Sequence, residues 1–521
     1  MSNNSMFHRK ILAYSRWDIY AFLIFSFFLF SQAFQWKHMP YFMDCYYHLS
    51  VMQGFADAGG WVKSAFWEYA PVGRPHLYPP LYHLLGLMLL KCGMGPIAIV
   101  RISQVLVYPF FLFSAWFLMR FIGGRRAAFF ALFLLSSSFV LDASIVILLP
   151  FSLGLIFGMW SFYFFERSDF FKSFLSLVFV FYSHTLMAWF MVAAFLIYGF
   201  LAKKNIKPLL LVCFFGILAG LPLLWHQFMH RAYVHAPRLL EFYYSQINLF
   251  AIVLALAGFF ICLKRGGRSF FLVSLCISMA TLIFFYRNRF FSGQGLIPLF
   301  FLGAVCLDHI WQSFVGMSRP KRIVLFVLIT AIFYLLTPVA ELSPLRPGAR
   351  FAWTSRWPAQ RDVIFSDEDV FQRLATFYHP DLVGEAARLI QENSAENDLL
   401  YCNFNYGGGM LSVLSHRAMS GAMLPEVAPY ADFDPIAAAR VIVWFKDVSG
   451  AFPPELARVV AKYGLKKSGE TEIIYLYLNE KSFGTRRVLP AQAPWLLCFG
   501  LIVLGFAGIL APSSKIKVDI S

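Results

Sequence analysis

The distribution of charge constrains this chain more than any motif in it. Apolar runs follow one another from Trp17 to Pro338, and the basic residues between them fall in alternate gaps. The clusters are Gly123-Gly124-Arg125-Arg126, Lys203-Lys204-Asn205-Ile206-Lys207, Lys264-Arg265-Gly266-Gly267-Arg268 and Arg319-Pro320-Lys321-Arg322. The other gaps hold Asp44, Asp142, His184 and Arg287. Basic segments resist translocation, so loops rich in Lys and Arg stay in the cytoplasm. The chain is thereby predicted to have an anchoring side and a side where polar chemistry collects.

Charged residues are 14% of the 521 and hydrophobic ones 59%, whereas a soluble domain carries about 25% charged residues. That composition predicts an α-helical polytopic membrane protein. With about 20 apolar residues per span, about twelve spans are predicted, at 17–35, 101–121, 127–142, 144–163, 170–183, 185–202, 208–225, 248–263, 269–286, 294–311, 322–338 and 490–511. A cytoplasmic N-terminus bearing His8, Arg9, Lys10 and Arg16 puts every basic cluster, and Lys515 and Lys517 near the C-terminus, on the cytoplasmic side. Pro79–Lys91 is short for a span and would reverse every later loop, so an external helix at the membrane surface is predicted there. The run at 19–34 lacks a small-x-small cleavage site and reads as a signal anchor. The net charge of +16 is accounted for mainly by cytoplasmic loops, which leaves nucleic-acid binding without support. Eight scattered cysteines show no metal-ligand spacing; Cys45 and Cys92 share the outer segment, either as a pair or as single thiols.

Three regions follow: a transmembrane domain over 1–338 with a long first outer loop at 36–96, an extracytoplasmic soluble domain over 339–489, and a final span with a cytoplasmic tail over 490–521. In the soluble region, helices at 383–393 and 454–463 and strands at Leu399–Tyr401, Val441–Phe445 and Glu472–Leu478 predict a small α/β domain. Gly407-Gly408-Gly409 is either a binding loop or, as expected here, a strand-to-helix turn.

Candidate chemistry collects on the outer side. Asp44 in Met43-Asp44-Cys45-Tyr46-Tyr47-His48 is either a helix cap or a general base or metal ligand, with His48 one turn on. Glu68 follows on the same side in Trp67-Glu68-Tyr69, and Arg74 and His76 lie in a rigid, aromatic, basic stretch, Pro71–Leu81, that either shapes a site or makes a tight turn. Asp142 ends the third predicted span, as a functional ionisable group or as the span's boundary. His184 is either a satisfied polar residue or a ligand. Arg231, Arg287 and Arg289 sit where the charge rule disfavours them, which suits phosphate or pyrophosphate recognition, with snorkelling to headgroups as the alternative.

The opening Asp-x-Tyr-Tyr-His-Leu, the following Pro-x-Gly-Arg-Pro and Tyr-Pro-Pro-Leu-Tyr-His, the Gly-Arg-Arg-Ala-Ala turn, Asp142, and Arg289 ahead of Gly295-Leu296-Ile297-Pro298 resemble the GT-C class of membrane glycosyltransferases. Asn403-Phe404-Asn405-Tyr406-Gly407-Gly408-Gly409, with Arg417 beyond, is similar to the acceptor motif of the catalytic subunit of oligosaccharyltransferase, though it lacks that motif's tryptophans and Asp. The resemblance implies sugar transfer on the non-cytoplasmic face from a polyprenyl-phosphate or -pyrophosphate donor to a protein, lipid or polysaccharide acceptor. It makes Asp44 the loop-one catalytic carboxylate, Asp142 the second acidic position, and Arg287 or Arg289 the donor-phosphate contact. Asn405 and Tyr406 would face the acceptor, and Mg or Mn held by Asp44 and Asp142 is a candidate cofactor. A transporter or lipid flippase is the rival reading; it calls for repeated halves and mid-membrane charges, and neither is evident.

Overall fold

Apolar helices occupy the places where spans were predicted. The structure, a computed structural model, describes residues 15–512 apart from 35, 37–39, 41–42, 139–140, 143–144, 146–148, 204–205, 235–244, 286, 292, 315, 344–345, 355–379, 424 and 447–452. Seven helical stretches are long and apolar enough to cross a membrane: Arg16–Phe34, Pro96–Ser137, Leu149–Glu166, Thr185–Ala202, Ile206–Met229, Gly267–Phe284 and Arg289–Ser313. Phe170–Ser183 and Trp495–Leu510 are apolar but shorter. Leu249–Arg265 and Arg319–Thr330, the latter continued by π-helical Ala331–Leu335, fill the remaining predicted places.

Pro96–Ser137 is two arms. Gly124 breaks it with φ 86°, a left-handed conformation open to glycine. The arms fold back on each other, since the Tyr108 hydroxyl donates to the Leu135 carbonyl at 3.4 Å. The second arm stops at Ser137, short of the predicted 142, because Ser138 leaves the helical region at φ −98°, ψ 111°. Helix Leu296–Ser313 is the bundle's centre, with every residue from Leu296 to Asp308 buried. Gly258 lets helix Leu249–Arg265 touch the Leu302 backbone, the close approach that small residues allow between apolar helices.

The basic clusters converge at one pole. Asp18 binds Arg120 at 3.4 Å and Arg125 at 3.7 Å. Asp308 receives Arg126, and Arg265 at 3.7 Å. Glu166 takes Arg268 at 3.1 Å and the Tyr198 hydroxyl at 2.6 Å. The alternation read along the chain is thus a spatial segregation.

At the opposite pole, helix Met43–Ala58 packs against helix Leu81–Lys91, whose Leu81, Tyr82, His83, Leu84, Gly86 and Leu87 are buried. The second helix, expected to lie at the membrane surface, packs on the first and also touches the apolar helices Pro96–Ser137, Leu149–Glu166, Phe170–Ser183 and Trp495–Leu510. The α/β unit carries a sheet ordered Leu400–Cys402, Val441–Phe445, Ile474–Leu478, Lys466–Glu470, with the first pair parallel and the others antiparallel. Pro380–Glu392, Asn405–Ser415 and Pro454–Tyr463 are its main helices. The edge strand Lys466–Glu470 was not predicted; nor was the ribbon Thr337–Ser343 with Arg346–Thr354, which Ser245–Asn248 extends.

The glycine run is not a turn. It lies in the first turns of helix Asn405–Ser415, where a Cβ on Gly407 would collide with the Phe445 ring and one on Gly408 would come within 2.8 Å of Cys402 Cβ. Gly407→Ala is therefore expected to destabilise the protein by about 1–3 kcal/mol through overpacking, visible as a lowered midpoint of thermal unfolding.

The α/β unit is stitched to the outer loop. Tyr69 and Ala70 donate backbone N–H groups to Gly421 and Met419, Met419 donates to Trp67, and Tyr430 donates to Gly73. Asp57 accepts from His416 at 3.1 Å and also from Arg486. Gly60–Trp61 pairs with Ala493–Pro494 immediately before the last helix. All eight cysteines are free; Cys45 is buried beside Gln104 Nε2 at 3.1 Å, while Cys92 is exposed.

Candidate active site

Asp44 stands in the first turn of helix Met43–Ala58, just after the first apolar helix has delivered the chain to the pole opposite the basic clusters. Among the described residues its carboxylate accepts no hydrogen bond from the first peptide N–H groups of that helix. Three groups dominate its surroundings. Burial is the largest influence and pushes the carboxyl up to about 6; the Glu426 carboxylate pushes in the same direction, and the Arg289 guanidinium opposes both. Glu426 arrives from the α/β unit and Arg289 from the short helix Arg287–Phe291. Tyr78, on the proline-rich stretch, feels Asp44, Glu426 and Arg289 together, and its phenol is pushed up chiefly by burial.

His184 completes the ring. Burial, then the Arg289 charge, lowers its imidazole to about 3, so it is neutral at ordinary pH. Its Nδ1 accepts from the Met187 N–H at 3.3 Å, capping helix Thr185–Ala202. The neutral ring therefore carries its proton on Nε2, leaving a donor available. His48 lies beneath, 2.9 Å from His83 through Nδ1 and Nε2. Burial pushes both below the usual imidazole range, His83 to about 3. Neutral imidazoles leave Asp44 and Glu426 without cationic neighbours among the histidines, so Arg289 is the cation that balances them.

This arrangement suits proton abstraction beside a bound anion. A carboxyl titrating near 6 is ionised at neutral pH yet more basic than an ordinary aspartate, as a general base requires. The guanidinium offers paired donors to phosphate. If Asp44 must be ionised, activity is lost as pH falls through about 6. Glu426→Gln is expected to move that limb to lower pH, and Arg289→Gln to higher pH. Rates measured between pH 4.5 and 8.5 check both signs.

No protein-family model matches the chain, and no curated protein sequence matches it. Among solved structures, ArnT from Cupriavidus metallidurans in the apo state superposes with a TM-score of 0.55 at 12% identity, covering 89% of this chain and 97% of that one. The same protein bound to undecaprenyl phosphate gives a TM-score of 0.51, also at 12% identity, covering 89% and 98%. The oligosaccharyltransferase AglB from Archaeoglobus fulgidus, in complex with an inhibitory peptide and a dolichol-phosphate, gives 0.45 at 11% identity over 90% and 75%. The chain has the GT-C fold.

On this GT-C fold the other expected residues are spread over several places. Glu68 and Arg74 form a buried ion pair at 2.7 Å, with side chains 0% and 2% exposed. The second Glu68 oxygen accepts from the Met423 N–H at 3.0 Å, and Arg74 donates to the Tyr47 hydroxyl at 3.2 Å. Both charges hold the outer loop to the α/β unit. His76 is buried, 3.5 Å from the Tyr47 hydroxyl, and its carbonyl accepts from His226 Nε2 at 3.1 Å. Asp142 is also buried and accepts from Gln32 Nε2 at 3.0 Å, which ties it to the first apolar helix. Arg231 donates to the Phe228 carbonyl at 2.9 Å and stacks on that ring, finishing helix Ile206–Met229. Asn405 is exposed at the start of its helix. The Tyr406 and Arg287 side chains lie outside the described residues.

Among the described residues, no three His, Cys, Asp or Glu side chains stand together as a metal site. Glu426 was not picked out in the sequence, and Tyr78 only as the opening residue of Tyr-Pro-Pro-Leu-Tyr-His. Glu426 had one signal, a lone carboxylate in Pro425-Glu426-Val427-Ala428-Pro429 inside the soluble stretch.

Proposed function

We propose that this protein is a membrane glycosyltransferase that moves a sugar or glycan from a polyprenyl-phosphate or -pyrophosphate donor to an acceptor on the extracytoplasmic face. The observation that carries the reading is Asp44, raised to about 6 and within electrostatic reach of both Glu426 and Arg289, at the pole opposite the basic clusters. The GT-C fold and the undecaprenyl phosphate bound by ArnT support a lipid-phosphate donor. Asp44 takes the proton of the acceptor nucleophile as that atom attacks the anomeric carbon. The bond from that carbon to the phosphate oxygen breaks, and the departing phosphate keeps the electron pair. Arg289 holds the leaving phosphate, and His184 Nε2–H donates to one of its oxygens. Glu426 keeps Asp44 basic and turns the acceptor toward it. The segregated basic pole supports cytoplasmic termini and an outward-facing α/β unit.

Polyprenyl phosphate is expected to raise the thermal unfolding midpoint of the purified protein, by mass action on the folded state. Arg289→Gln is expected to lose most of that increase. A midpoint unmoved by the lipid in wild type, or moved equally in both proteins, contradicts the assignment of Arg289.

A further inference from the structure

The basic pole holds a second feature that glycosyl transfer does not use. A cavity of about 850 Å³ opens sideways between helix Arg16–Phe34, the second arm of Pro96–Ser137, and helix Arg319–Thr330. Its walls are apolar and aromatic, with Phe27, Phe129 and Phe326 among them, and it is closed at one end by Arg16, Arg319 and Arg322. Aromatic contacts line it: Trp17 meets Trp311 edge to face at 5.8 Å, and Phe129 meets Phe326 at a tilt at 6.2 Å.

The three arginines differ from their neighbours. At the same pole Arg120, Arg125, Arg126, Arg265 and Arg268 are all in ion pairs with Asp18, Asp308 or Glu166. Among the described residues, Arg16, Arg319 and Arg322 pair with no carboxylate, and the buried Nε of Arg322 has no hydrogen-bond partner. Arg319 opens its helix, where the first peptide N–H groups add positive partial charge. An apolar trough ending in unpaired guanidinium groups matches a molecule with hydrocarbon chains and an anionic head.

We infer that this cleft is the binding site of a resident anionic phospholipid, its phosphate on Arg16, Arg319 and Arg322 and its acyl chains along the aromatic trough. The head lies at the pole opposite Asp44, so this lipid is not the donor: a donor phosphate at Arg289 cannot also reach these arginines. A lipid wedged between the first helix and the helix leading to the α/β unit would splint the two. The inference rests on the membrane reading alone and does not require glycosyl transfer.

The test is native mass spectrometry of the full chain after delipidation in detergent and addition of dioleoyl phosphatidylglycerol, dioleoyl phosphatidylcholine or undecaprenyl phosphate. Wild type is expected to retain phosphatidylglycerol at least tenfold better than phosphatidylcholine. Arg319→Gln/Arg322→Gln is expected to abolish that preference. Ile323→Trp, at a half-exposed wall position, is expected to block both lipids while leaving the arginines in place. Equal retention of phosphatidylglycerol by wild type and the double variant overturns the inference. So does undisturbed retention in Ile323→Trp, or preferential retention of undecaprenyl phosphate over phosphatidylglycerol, which would make the cleft a donor-tail channel. If the double variant does not fold, Ile323→Trp decides alone.

Discussion

Asp44→Asn is expected to lower glycosyl transfer by roughly 10²–10⁴-fold, the usual contribution of a positioned general base, without weakening the fold. The second half of that expectation follows from the sign of the shift. A carboxyl raised to about 6 holds its proton in the folded protein at pH values where the unfolded chain has released it. Stability then falls as pH rises through the interval between the ordinary carboxylate range and 6. At neutral pH the ionised side chain strains the site, and an amide that cannot ionise relieves it. The variant should therefore unfold at the same temperature as wild type or above it at pH 7.5, while being the less active protein. A structural carboxylate behaves in the opposite way, with stability and activity lost together.

Glu68→Ala or Arg74→Ala is expected to cost about 3–5 kcal/mol, because each leaves an uncompensated charge in a dry site. The pair is buried, with a 2.7 Å contact, and it anchors the outer loop through Met423 and Tyr47. Replacing both with uncharged partners of similar volume, as in Glu68→Gln/Arg74→Met, should recover much of the loss, since the desolvation penalty of both ions disappears. Thermal unfolding midpoints of the four proteins make the comparison. Similar midpoints for wild type and both single variants would mean that the loop is held by its backbone contacts alone.

Legibility in the sequence followed the range of the interaction concerned. The absence of charge over long runs and the alternation of basic gaps are local properties. They located the apolar helices and the segregated pole that Asp18, Asp308 and Glu166 knit together. Asp44 and Arg289 were singled out from equally local signals, Asp44 as a carboxylate opening the loop after the first apolar run and Arg289 as a basic residue on the side that the charge rule disfavours. Glu426 was not, because its approach to Asp44 depends on how the α/β unit docks, and docking is written in backbone bonds such as Met419 to Trp67. Glu68 and Arg74 were picked out as site residues on the strength of their charge, but opposite charges six residues apart on one loop can neutralise each other, and here they do. The glycine run misled for a related reason. Glycine permits a turn, but it equally permits close helix packing, and Phe445 and Cys402 decide between the two.

The central claim is most directly tested by following free polyprenyl phosphate as purified wild type and Asp44→Asn, each in lipid vesicles, are given a panel of polyprenyl-phosphate and -pyrophosphate sugars. Release from at least one donor by wild type, with the variant slower by roughly two to four orders of magnitude, is the expected result. Equal release by both proteins, or no release by a folded wild type from any donor in the panel, would contradict the account.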